Sequence, residues 1–343
     1  MTERAPDRAG QSESRHAFLL TRRRFFAVVV SIAGAAAVYL AATLWSGWED
    51  VSAAVARVGW IGMSGALALA LPSFAIRSLR WAVYLRALGY RVPPADNARI
   101  YLAGFALTTT PGKLGETMRS VLLRPFHVPY PASLGAFFAD RFCDLVGILL
   151  ITGVLAQILY PAARFVALVL IAVLAVMTVV YLKEHRVLHI VERLAQRVSR
   201  RTTLAVSARA LAESALVCLR PGRFAFGVAI TCIAWGLQGL ALAYLLSRLG
   251  SDMPLALSVF IFFFSTLVGA ASLIPSGLGS QEATMIALLT LNGIDRAEAV
   301  AATLLLRFAT LWLGVAVGLC CTLFVPSRAA PAAPETAQQT RGK

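Results

Sequence analysis

Six stretches of the chain run almost unbroken in apolar residues for about 20 positions or more, the helix length that crosses a ~30 Å hydrocarbon core. They are 25–46, 60–85, 132–160, 162–182, 224–247 and 296–325. Two further apolar segments are interrupted. One, 97–124, is broken at Pro111-Gly112-Lys113-Leu114-Gly115; the other, 254–292, is broken at Pro275-Ser276-Gly277-Leu278-Gly279. Proline and glycine stop a helix, so each interruption predicts two half-helices joined by a turn. The halves of 97–124 are too short to span singly, which predicts a hairpin that enters and leaves on one side. For 254–292 the pattern leaves two choices, because 254–274 alone is long enough to cross. The pattern predicts an all-α integral membrane protein, a polytopic helix bundle with two re-entrant broken-helix hairpins.

Composition agrees. Apolar residues make up 58% of the 343 positions and charged ones 14%, against about 45–50% and about 25% in soluble domains. That excludes a water-soluble enzyme. Residues 1–24 are polar and mixed in charge, and 326–343 are rich in Ala, Pro and polar residues. Both read as disordered, leaving 25–325 as one membrane domain. Thr21-Arg22-Arg23-Arg24-Phe25-Phe26 is similar to a twin-arginine signal, but the apolar run after it exceeds the ~7–15 residues of a signal core. It reads as a first anchor held inside by three arginines.

The net charge of +15 lies between the apolar runs. Arg77, Arg80, Arg86, Arg91, Arg99, Arg119 and Arg124 flank the first hairpin. The stretch 183–223 carries Lys183, Arg186, Arg193, Arg197, Arg200, Arg201, Arg209, Arg220 and Arg223. With both hairpins re-entrant and both termini cytoplasmic, all of these fall on one side, as the positive-inside rule requires. The expected location is the plasma (inner) membrane. The expected partners are membrane lipids, with anionic inner-leaflet headgroups at 183–223 and no nucleic acid. Val187, Val191, Leu194 and Val198 form an apolar stripe on that basic segment, suited either to the leaflet surface or to a solvated linker helix.

The five cysteines (Cys143, Cys218, Cys232, Cys320, Cys321) show no C-x-x-C spacing, and His185 and His189 share a helix face with no third ligand near. Neither a metal nor a cofactor is expected. Gly112-Lys113 lacks the spacing of a nucleotide-binding loop, and Gly314 and Gly318 form a G-x-x-x-G close-packing face.

The two interrupted segments are similar in order and spacing. Glu116 precedes Arg141 by 141 − 116 = 25 positions, and Glu282 precedes Arg307 by 307 − 282 = 25; Phe142 and Phe308 follow the arginines. Upstream, Tyr84-Leu85, Leu88-Gly89 and Pro93 are matched by Tyr244-Leu245, Leu249-Gly250 and Pro254. The order suggests a duplicated unit, repeat 1 at about 60–160 and repeat 2 at about 224–325, joined by the cytoplasmic linker 183–223. Counting crossings makes the copies opposite in direction, the inverted-topology repeat of many transporters.

Charges inside apolar segments are costly and mark function or pairing. Glu116, Asp140, Arg141, Asp144, Glu282 and Arg307 lie there, with Lys113 at a hairpin tip. One reading pairs Glu116 with Arg141 and Glu282 with Arg307 to hold the hairpins. The other has the seven residues line a path for an ionic headgroup. The turns themselves (Pro111, Gly112, Gly115; Pro275, Gly277, Gly279) start new half-helices whose free N–H groups favour anions. Glu116 and Glu282 then sit in first turns, where a carboxylate also caps the dipole.

Pro-Gly-x-x-Gly-Glu at 111–116, Arg80-Trp81 before it, Asp140-Arg141-x-x-Asp144 after it and Pro-x-Gly-x-Gly-x-x-Glu at 275–282 resemble the transmembrane (flippase-like) region of the lysylphosphatidylglycerol synthase family. The resemblance covers about 25–325, with Ser276 where a glycine is common. It implies a lipid moved between leaflets: a phospholipid, a hopanoid or a polyprenyl-linked intermediate. It also implies work beside lipid- or glycan-synthesis enzymes. The aminoacyltransferase domain of the bifunctional members is not expected here, so a transporter is favoured over an enzyme and no catalytic residue is assigned. The runner-up functions are an intramembrane lipid-headgroup-modifying enzyme and an accessory scaffold of a lipid or glycan synthesis complex.

Overall fold

A computed structural model describes residues 43–108, 114–160, 184–198 and 202–324, together with Gly34, Ala37 and residues 39–41. Every regular element among these residues is a helix. Most of the predicted first span (25–46), all of 162–182, both termini and the turn residues 109–113 lie outside the described residues.

The first long helix, α1 (Trp48–Ala87), bends at Gly59, whose φ of 59° and ψ of −172° interrupt the helical run, and it carries Pro72 in its interior. It ends at Leu88-Gly89. Gly89 takes a left-handed φ of 89°, and the Tyr90 N–H reaches the Leu85 carbonyl at 2.9 Å. This is the six-to-one closure that glycine permits at a helix end. Pro93 then caps α2 (Pro94–Ala103), which tightens into a 3-10 turn at Gly104–Leu107. Beyond the interruption lie α3 (Leu114–Leu122) and a second long helix, α4 (Tyr130–Leu159).

The same order returns later. Helix α7 (Pro221–Arg248) ends at Leu249-Gly250 with φ 85° and a Ser251 N–H bond to the Leu246 carbonyl at 3.1 Å; Pro254 then caps α8 (Leu255–Ala271). A 3-10 turn at Pro275–Gly277 leads to α9 (Ser280–Leu291). The last long element runs through α10 (Arg296–Arg307), a π turn (Phe308–Trp312) and α11 (Leu313–Leu323). Both trailing helices start 14 positions after the hairpin glutamate: 130 − 116 and 296 − 282. The duplicated order read from the sequence is thus repeated in element order and in the caps.

Among the described residues, four helices are long and apolar enough to cross a membrane: Trp48–Ala87, Tyr130–Leu159, Pro221–Arg248 and Arg296–Leu323. The segment 254–274, for which the pattern left two choices, holds one helix, α8. Helix α8 has 17 residues, about 25 Å at 1.5 Å per residue, and folds back on α9.

The two leading helices, α1 and α7, pack lengthwise, with the Tyr244 ring set against Gly65. Each broken segment packs against the trailing helix of the other copy: α2 and its 3-10 turn on α11, and α8 on α4. Gly318 lets α11 lie directly on the backbone of Leu102–Ala106, and Gly314 meets the Phe74 ring. These are the contacts that the G-x-x-x-G pattern predicts.

The 183–223 linker contains two helices, α5 (Glu184–Val198) and α6 (Thr202–Cys218), paired as a hairpin. Arg209 holds Glu192 at 3.1 Å and Glu213 at 2.9 Å, and those carboxylates keep its guanidinium above its ordinary pKa. Leu188, Ala205 and Cys218 are buried here, whereas Leu194 is exposed beside Ile190. Of the predicted stripe, Val191 is half-buried and Leu194 exposed; the side chains of Val187 and Val198 lie outside the described residues. Helix α6 docks on α4 where Gly135 leaves room for Ser214 and the Leu211 carbonyl.

Candidate functional site

Two charged clusters occupy the bundle interior. The first joins α1, α4 and α7. Asp140 and Asp144, one helical turn apart on α4, face Arg80 of α1. Arg80 Nε donates to Asp140 Oδ1 at 2.7 Å and Nη2 to Asp144 Oδ1 at 2.8 Å, while Nη1 reaches Thr231 Oγ1 and the Gly227 carbonyl. Arg80 is 0% exposed. Gly227 and Gly147 make this approach feasible: a Cβ on the first would collide with the Tyr84 hydroxyl, and one on the second with Thr231.

Arg141 closes the outer side of the cluster, with Nη2 at 2.6 Å from Asp140 Oδ2 and 3.0 Å from Asp144 Oδ2. Arg77 closes the inner side, 3.4 Å from Asp144 Oδ2, with its guanidinium between the Phe105 and Trp235 rings at 5.5 and 5.1 Å. A buried charge is stable only when paired and hydrogen-bonded. Arg80 meets that condition, while three guanidiniums on two carboxylates leave one positive charge in excess, and Arg77 Nε has no hydrogen-bond partner among the described residues.

The second cluster forms at the second turn. Glu282 is the third residue of α9. Its Oε2 accepts the Gly279 N–H at 2.8 Å, so the capping role predicted for it is present. Its Oε1 accepts Arg307 Nε at 2.7 Å and the Tyr39 hydroxyl at 3.2 Å. Arg307 also donates to Gln281 Oε1 at 2.9 Å and to the Ser276 carbonyl at 3.0 Å. The predicted Glu282–Arg307 pair is thus observed, tied directly to the turn backbone. The π turn begins at the next residue, Phe308, where an extra residue per turn re-aims the side chains around Arg307.

The two broken segments meet. Ser276 Oγ donates to the Thr108 carbonyl at 3.0 Å, joining the second turn to the end of the first 3-10 segment. The second turn is held in uncommon backbone conformations. Leu273 (φ 56°), Ser276 (φ 55°), Gly277 (φ 63°) and Gly279 (φ 84°) all lie in the left-handed region. A left-handed non-glycine residue costs roughly 1–2 kcal/mol and persists where the surroundings over-determine it, often at switch regions.

Other expectations fall differently. Glu116 sits at the third position of α3, matching Glu282, but its side chain and the residues Pro111, Gly112 and Lys113 lie outside the described residues; Gly115 lies in the first turn of α3. The Glu116–Arg141 pair is therefore not described, and Arg141 is seen on Asp140 and Asp144. Arg77, Arg80 and Arg119, expected among the flanking positive charges, are instead buried. Arg119 lies 4.0 Å from the Tyr101 ring centroid and donates to the Tyr101 carbonyl at 3.1 Å.

The sequence reading also missed Thr231, Gln281 and Tyr39 as partners of the clusters. The sequence does show Arg77 and Arg80 at i, i+3 in an apolar run, which marks costly charges without showing which helix pairs them.

Known proteins place the chain. It is similar to a UPF0104 membrane protein of Methanothermobacter thermautotrophicus, 25% identical over 317 residues and covering 86% of this chain and 92% of the relative. A second UPF0104 membrane protein of that organism is 24% identical over 270 residues, 71% of this chain and 80% of the relative. One from Pyrococcus horikoshii is 22% identical over 302 residues, 80% and 90% respectively. With residues 25–318 matched by the family model of the lysylphosphatidylglycerol synthase TM region, the chain belongs to that family of membrane proteins.

Proposed function

We propose that this protein is a flippase-like transporter that moves an anionic, phosphate-bearing lipid between leaflets. One observation carries the reading: the two broken segments touch at Ser276 and Thr108, with the buried Arg307–Glu282 pair beside the contact. Non-helical backbone at membrane depth is tolerated only inside protein or along a wet cavity. The repeated caps and the exchange of hairpins between the two trailing helices support an inverted repeat with both hairpins re-entrant. Both termini then face the cytoplasm. The basic α5–α6 hairpin lies on the anionic inner leaflet, with exposed Arg186 and Arg193 worth about 1 kcal/mol each near such a surface.

The chemistry follows from exchange of partners. Opening Arg307 from Glu282 without replacement strands a buried charge, at about 3–5 kcal/mol. A lipid phosphate that takes the place of the carboxylate keeps the guanidinium paired throughout. Glu282 remains held by the Gly279 N–H while the arginine is occupied, or accepts a proton. Lys113, Glu116, Asp140, Arg141 and Asp144 serve the same path on the first copy's side. The acyl chains stay in the bilayer.

The test is reconstitution into vesicles containing phosphatidylglycerol with a fluorescent chain, followed by quenching of the outer leaflet with dithionite. Wild-type protein is expected to make both leaflets accessible, and Glu282→Gln and Arg141→Ala to fall to the rate of empty vesicles. Wild-type rates in both variants overturn the proposal. Chemical turnover of a lipid headgroup in detergent micelles, where no second leaflet exists, replaces it with an enzyme.

A further inference from the structure

The second cluster has a partner from outside the duplicated unit. Tyr39 belongs to the leading apolar segment, ahead of repeat 1, and lies 243 positions from Glu282. Its hydroxyl donates to Glu282 Oε1 at 3.2 Å and accepts the Trp312 Nε1–H at 3.3 Å. The two rings meet edge to face, with centroids 6.4 Å apart and planes at 87°. An indole nitrogen only donates, so Trp312 fills the acceptor side of the hydroxyl and the Tyr39 proton is directed at the carboxylate. A chain of donors thus runs from indole to phenol to glutamate, each bond polarising the next.

Trp312 reaches this position through the π turn. Phe308–Trp312 follow Arg307 directly, and i→i+5 bonding brings the fifth residue after the arginine round to its face. The first copy carries Val146 five positions after Arg141 and so has no donor at that place.

Three groups hold the Glu282 carboxylate among the described residues. The Gly279 N–H takes Oε2, while Arg307 Nε and the Tyr39 hydroxyl share Oε1 at 2.7 and 3.2 Å. The arginine bond is short and charge-assisted, and the phenol bond beside it is longer. That order reverses when Arg307 leaves. Oε1 then has the phenol as its remaining donor, and a hydrogen bond to an otherwise bare buried charge counts for more than one to a charge already paired.

We propose that Tyr39 is a positioning residue that keeps Glu282 satisfied while Arg307 is away, and so stabilises the opened pair more than the closed one. With the arginine gone, each carboxylate oxygen keeps one donor: the turn backbone on Oε2, and a helix outside the repeat on Oε1. The inference rests on the transport reading for what opening achieves; the hydrogen bonds stand without it. It gives the leading segment a part in the exchange of partners.

The experiment uses the full chain, in vesicles for scrambling of phosphatidylglycerol with a fluorescent chain and in nanodiscs for thermal unfolding. Tyr39→Phe keeps the ring and deletes the hydroxyl. It is expected to slow scrambling about tenfold, the rate equivalent of one hydrogen bond to a charged group, with a thermal midpoint close to that of the unmodified protein. Trp312→Phe is expected to slow it by less, because the hydroxyl remains and only its direction is freed. An unchanged rate in Tyr39→Phe overturns the proposal, as does a lost rate matched by a large fall in midpoint. A second measurement needs no lipid movement. In Arg307→Gln the carboxylate has lost its guanidinium, and adding Tyr39→Phe is expected to lower the midpoint at least about twice as far as in the unmodified background. Arg307→Met serves where the amide variant does not fold, and equal shifts in the two backgrounds overturn the proposal. Unmodified protein that fails to scramble removes the transport reading, and the unfolding comparison then decides the role of Tyr39 by itself.

Discussion

The two interior clusters each hold an arginine 25 positions after a glutamate, Arg141 and Arg307, yet they are built differently. In the first, Arg80 is shut away and clamped by Asp140, Asp144 and Thr231, all from long helices that pack against one another. In the second, Arg307 holds one carboxylate and one amide, and spends its remaining contact on the carbonyl of Ser276, inside a turn of left-handed residues. Position 141 is followed by Asp144, three residues on, where the second copy has Thr310 after Arg307. The extra carboxylates of the first copy bind three helices together. The second copy has fewer charges and ties its arginine to backbone that can rearrange. On the transport proposal, the first cluster is mainly a joint and the second the element that opens.

Breaking the joint is the harshest way to test the contrast. Arg80→Ala leaves Asp140 and Asp144 short of their main partner in a dry interior, and an expected loss of about 3–5 kcal/mol should show in denaturant unfolding in nanodiscs. A near-normal unfolding midpoint would mean that the cluster is wetter than its burial implies. Overpacking at a helix contact comes next. Gly318→Ala places a methyl against the backbone of Leu102–Ala106 and should cost about 1–3 kcal/mol, whereas Gly314→Ala meets only the Phe74 ring at 3.4 Å and should be close to neutral. Equal effects at the two glycines would contradict the packing of α11.

Glu282→Gln separates the clusters by function. The amide oxygen accepts from Gly279 or from Arg307 but not both, and Arg307 loses its counter-charge, so a stability loss of about 1.5–3 kcal/mol is expected while vesicle scrambling disappears. Destabilisation as large as that of Arg80→Ala would erase the distinction between joint and opening element. The smallest expected effect is a gain. Leu273 is 90% exposed with φ 56°, so Leu273→Gly should raise stability by about 1 kcal/mol, read as an upward shift in thermal midpoint. A fall would show that the side chain makes contacts that outweigh its backbone cost.

Much of this organisation was legible beforehand because local rules act on local residues. The interrupted segments, the equal 25-residue spacing and the Glu282–Arg307 pair follow from proline, glycine and charge placed in apolar runs. The role of Arg80 was not legible in that way. Close to the end of a span, a positive charge satisfies the positive-inside rule as well as a buried pair does, and only the neighbouring helices distinguish the two. The linker shows the same limit: its stripe depends on which residues α6 covers, and Leu188 rather than Leu194 proved buried.

Hydropathy by itself determined that this is a helical membrane protein with two broken segments, since a bilayer leaves unpaired backbone no other spanning solution than helices or closed barrels. The order of the duplicated unit and the acidic residue opening each second half-helix were also written in the linear pattern. Tertiary structure alone decided which carboxylate each arginine holds, that the Ser276 hydroxyl reaches the Thr108 carbonyl, and that each broken segment leans on the other copy's trailing helix. Pairing of charges is a contest among all groups within a few ångströms, and that neighbourhood exists only once the helices have packed.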